Sequence, residues 1–451
     1  MLPRPETTRV EDVLKDVAAE CTGGEILPPP CLANLDRRLL DAAAEDARRL
    51  LQAVLQHFGR RAPGRQRHDC RKRNMLTACG WVEVARAYCR PLRHIHKPTH
   101  RKNGSESESS VFPLDAIIGL DHGTTPATRD AVTRCAALCG SLAEARGMLS
   151  HLTPVRISTT TVRAIAFRSG QKVLDRQENP QPDIRQPQAQ PRSGDARRVF
   201  PVARTMYIMM DGTGVPCTVA DTAHVKGRTS DEKAGTREIK VGVIGYYSWL
   251  DPLERPVPEL GSASHVVAAV EASDFGTLMR KAAISRGYGT ALRVQIVGDG
   301  ADWIANIAAQ AFPGAIFTAD FYHACEHLYA LCLLLWFPED QLRPQDRKFK
   351  GLLFRHGAHS LIRQLKEKHN STIMASPDAK KELAYFEKRV PAMRYGEFRK
   401  QGLYIGSGHA EAACRTDVTR RCKQAGMHWR YHNAVRICAI LASLRSGSFV
   451  P

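Results

Sequence analysis

TMYIMMDGTG (residues 205–214) and LRVQIVGDG (292–300) decide the fold. Each is a short run of bulky and β-branched apolar residues that closes on an aspartate and a glycine. A continuous apolar run of that length, bounded by a turn signal, reads as a strand buried on both faces. Open α/β sheets place their ligands outside the carboxyl ends of such strands. Asp211 and Asp299 are therefore expected at one rim of a sheet. Two carboxylates brought together there repel each other unless a divalent cation lies between them. Magnesium suits the place, because it takes one or two carboxylates together with waters and phosphate oxygens. The competing reading of either aspartate alone is a cap on a turn or on the next helix.

Around these two stretches the pattern is that of a mixed sheet with crossover helices. EIKVGVIGYYSW (238–249) alternates like a long strand, and Ala315–Thr318 forms another. A helix is expected over roughly Ser264–Arg286. Residues 322–400 read as mostly helical and basic, and a further helix is expected from about His409 to Ala425 after the break at Ile405-Gly-Ser-Gly.

Glu411 lies near the start of that last helix, which also carries Arg415, Arg420, Arg421 and Lys423. An ordinary role for it is an i,i+4 pair with Arg415. As a third acid beyond the sheet it would instead complete a two-metal site for in-line phosphoryl displacement. DFYHACEHL (320–328) supplies Asp320 and His323, three apart and so on one face if a helix starts there. An Asp–His pair bracing the site is expected in preference to a zinc centre.

The chain has 451 residues with 65 Lys and Arg against 46 Asp and Glu, a formal net charge of +19. The apolar content, 43%, suffices for full cores and excludes a wholly disordered chain. The surplus points to an anionic partner, nucleic acid first. The longest apolar run, Leu328–Phe337, falls well short of the roughly 18–20 residues that span a bilayer, so no membrane association is expected. MLPRPETTRV at the start has no signal-like apolar region, and a cytoplasmic, nucleoid-associated location is expected. The 13 cysteines include no CxxC pair and read as reduced thiols.

The upstream half divides by composition. Residues 1–59 are helical, with Leu39, Leu40, Ala43, Leu50, Leu51, Val54 and Leu55 at helical spacing. The basic region 60–110 holds 13 Lys and Arg against two acids between Arg60 and Lys102, and Arg71, Lys72 and Arg73 are its DNA-binding candidates. WVEVARAY (81–88) inside it alternates like an edge strand. Cys70, Cys79, Cys89, His94, His96 and His100 offer zinc-ligand chemistry but not the two tight pairs of a structural site. Zinc is therefore the weaker expectation beside a basic loop. In 111–171, SLAEARGMLSHLT (141–153) and STTTVRAIAFRSG (158–170) read as two helices in a helix-turn-helix-like region, or as an ordinary packed pair. Residues 172–199, rich in Pro and Gln, read as a linker.

Five motifs, MDGTGVP (210–216), REIKVGVI (237–244), GDGADWI (298–304), FPGAIFTADFYHACEHL (312–328) and GLYIGSGHAEAACR (402–415), together resemble an insertion-sequence transposase of the ISKra type, related to the Mutator-like transposases. FPLDAIIGLDHGTTP (112–126) extends the resemblance upstream. The resemblance implies a ribonuclease H-like core with a DDE triad. Carried over by motif, the triad is Asp211, Asp299 and Glu411 holding two Mg²⁺ ions, with Mn²⁺ able to substitute and Asp320 with His323 in support. The core would occupy 200–321 and 402–451, interrupted by a helical insertion over 322–401. Asp320 is the rival for the second acid, and Asp302 a weaker one. Strand adjacency favours Asp299. Relatives often carry a cysteine-paired ribbon before the FPLD-like motif, where this chain has only Cys89, so any zinc ribbon here is degenerate.

The expected fold is thus α/β, with a mainly helical basic DNA-binding region ahead of the sheet. The expected function is that of a DDE transposase that binds the terminal inverted repeats of an insertion sequence, cuts DNA and joins it to target DNA, as a homodimer or larger assembly. The alternatives are a domesticated DNA-binding protein without activity, and a ribonuclease H-like nuclease that cuts without joining.

Overall fold

The computed structural model describes residues 9–21, 29–60, 67–89, 112–180, 200–223, 225, 235–335 and 337–450. The chain divides into two compact units, residues 1–166 with 450–451, and residues 167–449.

In the first unit, α1 (Arg9–Cys21) and α2 (Pro29–Gly59) precede an antiparallel hairpin of β1 (Arg67–Thr77) and β2 (Gly80–Cys89). The expected edge strand is therefore one arm of a two-stranded ribbon. It turns at Ala78-Cys79, where Gly80 takes the left-handed φ of +98°. Leu55 of α2 packs on Met75, Val82 and Val84, and Leu114 of α3 (Pro113–Ile117) closes this small core. Asp115, from the FPLD motif, ties the ribbon down: it pairs with the buried Arg86 and lies 3.8 Å from Arg73. Two helices follow, α4 (Pro126–Leu138) and α5 (Leu142–Leu152). Ser141 caps α5 by accepting from the Glu144 N–H at 3.0 Å, while the Glu144 carboxylate accepts from the Gly140 N–H at 2.8 Å.

The next helix, α6 (Thr159–Glu178), departs from the sequence reading. It continues past Gly170, so the first part of the expected 172–199 linker is helical, and the division between units falls inside α6. The buried Val173 extends the apolar stripe of Val162, Ile165 and Ala166, and that stripe carries the helix on. Residues 181–199 lie outside the described residues. The connection between α5 and α6, residues 153–158, is longer than the roughly three or four residues of a helix-turn-helix.

The second unit is built on a mixed sheet. Its strands are β3 (Phe200–Pro216), β4 (Thr236–Leu250), β5 (Pro256–Pro258), β6 (Ser264–Ala268), β7 (Arg293–Gly298) and β8 (Ile316–Ala319). A short helix, α7 (Val219–Thr222), follows β3. The order across the sheet is β5-β4-β3-β7-β8, with β6 also paired to β4. β4 runs antiparallel to β3, β5 and β6, while β3, β7 and β8 are parallel. The expected helix over 264–286 starts late: its first five residues, SHVVA, pair antiparallel with β4, and α8 (Ala272–Ser285) begins only afterwards.

The two-residue period of β3 sorts its side chains between layers. Met206, Ile208 and Met210 face α8 and α9 (Asp302–Ala311), packing on Phe275, Met279 and Ile304. Tyr207 points to the other face, where it stacks on His409 at 5.2 Å and meets the ring of Tyr404. By the same alternation Asp211 belongs to this second face.

After β8, α10 (Phe321–Leu334), α11 (Glu339–Ala375), α12 (Pro377–Glu387) and α13 (Tyr395–Lys400) form a helical segment with its own core of Leu328, Leu331, Phe349, Leu353, Leu361 and Phe386. The chain then returns to the sheet. The helix expected over 409–425 runs from Gly408 to Cys422 and is π-helical at its centre: α14 (Gly408–Ala413) passes into a π-helical stretch, Cys414–Thr419, and then α15 (Arg420–Cys422). The stretch is pinned by Asp417, buried and accepting from Arg445 of α16 (Tyr431–Arg445) at 2.8 Å, with His265 of β6 2.7 Å away. Among the described residues no helix is long and apolar enough to cross a membrane.

Candidate active site

β3 runs on through Asp211 to Pro216, because β4 is long enough to pair with it all the way, with Asp211 opposite Val241. Asp211 is therefore inside a strand and not beyond its end. The parallel ladder to β7, however, stops at Met209 and Val297. Asp211 and Asp299 each stand two residues past that last rung, on adjacent strands and with the same parity. β8, whose end carries Asp320, is one strand further out.

Burial pushes the Asp211 carboxyl above its ordinary value. The Gly212 N–H, donating at 2.6 Å, and the Cys414 thiol pull it back, while the charges of Asp299 and Glu238 push it further up. Burial, and the charge of Asp211 after it, raise the Cys414 thiol in turn. Asp211 is thus a half-desolvated carboxylate with Asp299 as an anionic neighbour, a donor chemistry that suits a hard divalent cation. Asp299 is shaped by a turn: its Oδ1 accepts from the Ala301 N–H at 2.8 Å, and Gly300 has a φ of +90°.

Glu411 reaches the same face by a series of stitches. Gln295 of β7 donates to the Tyr404 carbonyl at 2.7 Å and accepts from the Tyr404 N–H at 3.0 Å. The Phe321 N–H donates to the Ile405 carbonyl at 2.8 Å. Asp320 Oδ2 then accepts from the Ser407 N–H and from Ser407 Oγ, the latter at 2.8 Å. Ser407 Oγ also lies 3.3 Å from Glu411 Oε1, so one hydroxyl proton serves two carboxylates. Cys414, one turn after Glu411, faces Asp211 and lowers its carboxyl pKa. Glu411 itself is exposed and makes no ion pair with Arg415.

Asp320 is buried, and its oxygens are engaged by protein donors. The expected pairing with the His323 side chain does not form. Asp320 caps α10 by accepting from the His323 backbone N–H at 2.8 Å, and the imidazole lies 3.3 Å from Glu326 instead. A side chain at an N-cap satisfies the orphan N–H three residues on, so the Asp-x-x-His spacing here encodes a cap. Asp302 is exposed and pairs with Arg389 at 3.0 Å.

The candidate DNA-binding cations divide sharply. Arg415 and Arg420 are exposed. Arg421 is buried, with its guanidinium 5.1 Å from the Trp429 ring, which makes it part of the core and removes it from the candidates for DNA contact. The Lys423 ammonium donates to Thr213 Oγ1 at 2.5 Å, two residues on from Asp211. In the ribbon of the first unit, Arg71 covers the Tyr88 ring at 4.1 Å, Lys72 pairs with Glu83 at 2.8 Å, and Arg73 approaches Asp115.

Among the described residues no group of three or more His, Cys, Asp or Glu side chains is arranged to hold a metal ion. His94, His96 and His100 lie outside the described residues. Cys79 sits at the ribbon turn and Cys89 at the far end of β2, about 30 Å away along a strand that rises ~3.3 Å per residue, so the two cannot share one ion.

Glu238, Cys414 and Ser407 had not been singled out from the sequence. Cys414 was within reach of such a reading, being three residues after Glu411 and so on one helical face. Glu238 pairs across from Gly214 on β4, a register no local pattern specifies.

No family model matches the chain, and no curated protein matches it. Among solved structures it is similar to the Drosophila P element transposase strand transfer complex, at 10% identity and a TM-score of 0.33, over 72% of this chain and 93% of that one.

Proposed function

We propose that the chain is a DDE transposase with a ribonuclease H-like core, acting on the terminal inverted repeats of an insertion sequence. The observation that carries the reading is the pair of acids, Asp211 and Asp299, two residues past the last rung between adjacent parallel strands. The sheet supports it, with an antiparallel β4 on one side of β3 and two crossover strands on the other. The resemblance of the five motifs to those of ISKra-type transposases supports the reaction class.

In this reading Asp211 and Asp299 hold Mg²⁺, or Mn²⁺ in its place, and Glu411 joins them when DNA is engaged. Bound there, two such ions would favour ionisation of a water or 3′-hydroxyl and stabilise the leaving oxygen of an in-line displacement. The chain's own part is to orient. The Gly212 N–H fixes Oδ1 of Asp211, and Ser407 steadies Glu411. Arg415 and Arg420, exposed beside Glu411, grip phosphates without reading sequence. The basic ribbon and helices of the first unit bind the repeats, and two copies bring two DNA ends together. The helical insertion of this scheme is the stretch expected over 322–401, built from α10 to α13.

A second reading, a DNA-binding protein that does not cut, is favoured by one observation: Glu411 is exposed, on the same face as Asp211 and not buried with it. A strand-transfer assay on labelled repeat DNA with Mg²⁺ decides between them. Joined products from the wild type, and none from Asp211→Asn, support the transposase. Cut but unjoined products indicate a nuclease, and bound but intact DNA supports the second reading.

A further inference from the structure

The turn that carries Asp299 is gripped from outside the sheet. Tyr385, on α12, donates its hydroxyl to the Asp299 carbonyl at 3.1 Å. Arg389, just past the end of α12, donates Nε to the Gly300 carbonyl at 2.7 Å and Nη2 to Asp302 Oδ1 at 3.0 Å. Its remaining terminal nitrogen returns to the Tyr385 carbonyl at 3.1 Å, and the guanidinium lies 4.3 Å from the Tyr385 ring. Behind the tyrosine, the His327 ring stacks on it at 3.7 Å and 19°, and His327 Nδ1 lies 2.6 Å from Glu382.

We infer that Tyr385 and Arg389 are positioning residues for Asp299, so that the helical segment sets the geometry of the acid pair. The carbonyls of Asp299 and Gly300 sit beyond the end of β7, where no neighbouring strand holds them. The backbone there turns through a left-handed glycine, a conformation of low intrinsic stiffness. Two directed bonds and one ion pair fix the plane of both peptides, and with them the direction of the Asp299 side chain. A guanidinium is suited to the task, because its planar fork fixes several acceptors at once. Tyr385 is 86 residues from Asp299 in the chain, so the clamp exists only when α12 is docked on the sheet.

The proposal rests on the reading of Asp211 and Asp299 as metal-holding acids, and the test separates the two. Full-length wild type, Tyr385→Phe, Arg389→Gln and the neighbouring control Lys388→Gln are compared. Tyr385→Phe removes only the hydroxyl and keeps the ring stacked on His327, so its fold is secure. Lys388 is exposed and removes the same charge without touching the turn. Mn²⁺ binding is read by electron paramagnetic resonance, and exchange of the amides over residues 299–302 by hydrogen–deuterium mass spectrometry. Loss of an outer-sphere partner predicts a roughly tenfold weaker Mn²⁺ affinity in Arg389→Gln, a smaller loss in Tyr385→Phe, and none in Lys388→Gln. Amide exchange over 299–302 speeds up in both clamp variants. In DNA cleavage, kcat falls while KM for DNA stays unchanged. Wild-type exchange rates in both clamp variants overturn the clamp, whatever the activity. A wild type that binds no Mn²⁺ overturns the acid-site reading while the exchange result still decides the clamp.

Discussion

Asp211 and Asp299 each stand two residues beyond the Met209–Val297 rung between adjacent parallel strands, and the charge of Asp299 adds to the negative surroundings of Asp211. Such a pair is a cost to the empty fold. Burial and the neighbouring acids raise the Asp211 carboxyl, so its ionised form is disfavoured in the folded state relative to the unfolded chain. The sign follows: stability is gained as pH falls from the folded pKa towards the unfolded one, and the strain is fully present at neutral pH.

Asp211→Asn is therefore expected to raise Tm at pH 7.5 while lowering Mg²⁺-dependent DNA cleavage by roughly a thousandfold or more. Adding Mg²⁺ should raise Tm of the wild type and leave Asp211→Asn unmoved. Differential scanning fluorimetry with and without Mg²⁺ checks both. An Asp211→Asn protein less stable than the wild type would contradict the desolvated-acid account.

Asp320→Asn should behave in the opposite way. Its carboxylate is buried and accepts from the His323 and Ser407 N–H groups and from the Ser407 hydroxyl. An amide nitrogen in place of one oxygen faces a donor with a donor. A cost of about 2 kcal/mol is expected for spoiling charge-assisted buried bonds. Urea denaturation measures it, and Asp299→Asn serves as the comparison, with a much smaller loss expected there.

The cations after Glu411 should separate by burial. Arg415 and Arg420 are exposed, so changing both to Ala is expected to reduce the salt slope of DNA binding by about two and to leave Tm near the wild-type value. Arg421→Ala, which removes a guanidinium packed on Trp429, should lower stability by about 1–2 kcal/mol and leave the slope alone. Fluorescence anisotropy across a salt series, with melting curves, distinguishes the two outcomes.

The strands around Asp211 and Asp299 were legible because buried runs of β-branched and bulky residues have few other fates, and β3, β4, β7 and β8 all fall where those runs lie. The five-residue β6 was read as helix, since Ser264–Ala268 is too short to show a period and only its pairing with β4 makes it a strand. Asp320 was read as a partner for the His323 ring because spacing cannot tell a ring contact from a cap. What settles the matter is Ser407, 87 residues away in the chain. Arg421 misled in the same manner: a run of cations suggests a solvated face, but the π-helical stretch before it turns that side chain onto Trp429.

His409 gives the site a pH dependence of its own. It is packed against Tyr207 with its Nε2 3.1 Å from the Tyr404 hydroxyl, and burial, then the nearby His265, lowers its pKa below the ordinary value. The folded state therefore holds it neutral while the unfolded chain takes up a proton near pH 6.5. Its contribution is complete above that pH and is lost as pH falls towards the folded pKa. His409→Gln should flatten the decline of Tm between pH 7.5 and pH 5 at some cost in Tm at the upper end. A decline of unchanged steepness in the variant would assign the acid sensitivity to other groups, His369 among them, whose pKa burial also lowers.

Gly245 tests whether this aromatic layer holds Glu411 in place. A methyl group there would lie 2.5 Å from the Tyr207 hydroxyl and 2.6 Å from its ring, and Tyr207 is flanked by Tyr247, Tyr404 and His409. A buried ring with packed neighbours cannot swing aside as a flexible chain end would, so Gly245→Ala is expected to cost about 1–3 kcal/mol. Gly242→Ala is the comparison, because its new methyl meets the thioether end of Met279, which can rearrange. Tyr207 is the ring on which His409 rests, and His409 lies two residues before Glu411 on α14. The displacement should therefore lower cleavage more than the stability loss alone explains, with metal binding at Asp211 and Asp299 preserved. Cleavage rates measured well below both melting temperatures, alongside Mn²⁺ titration, separate that outcome from simple unfolding. If Gly245→Ala and Gly242→Ala lose activity equally at matched stability, the aromatic layer has no special hold on Glu411.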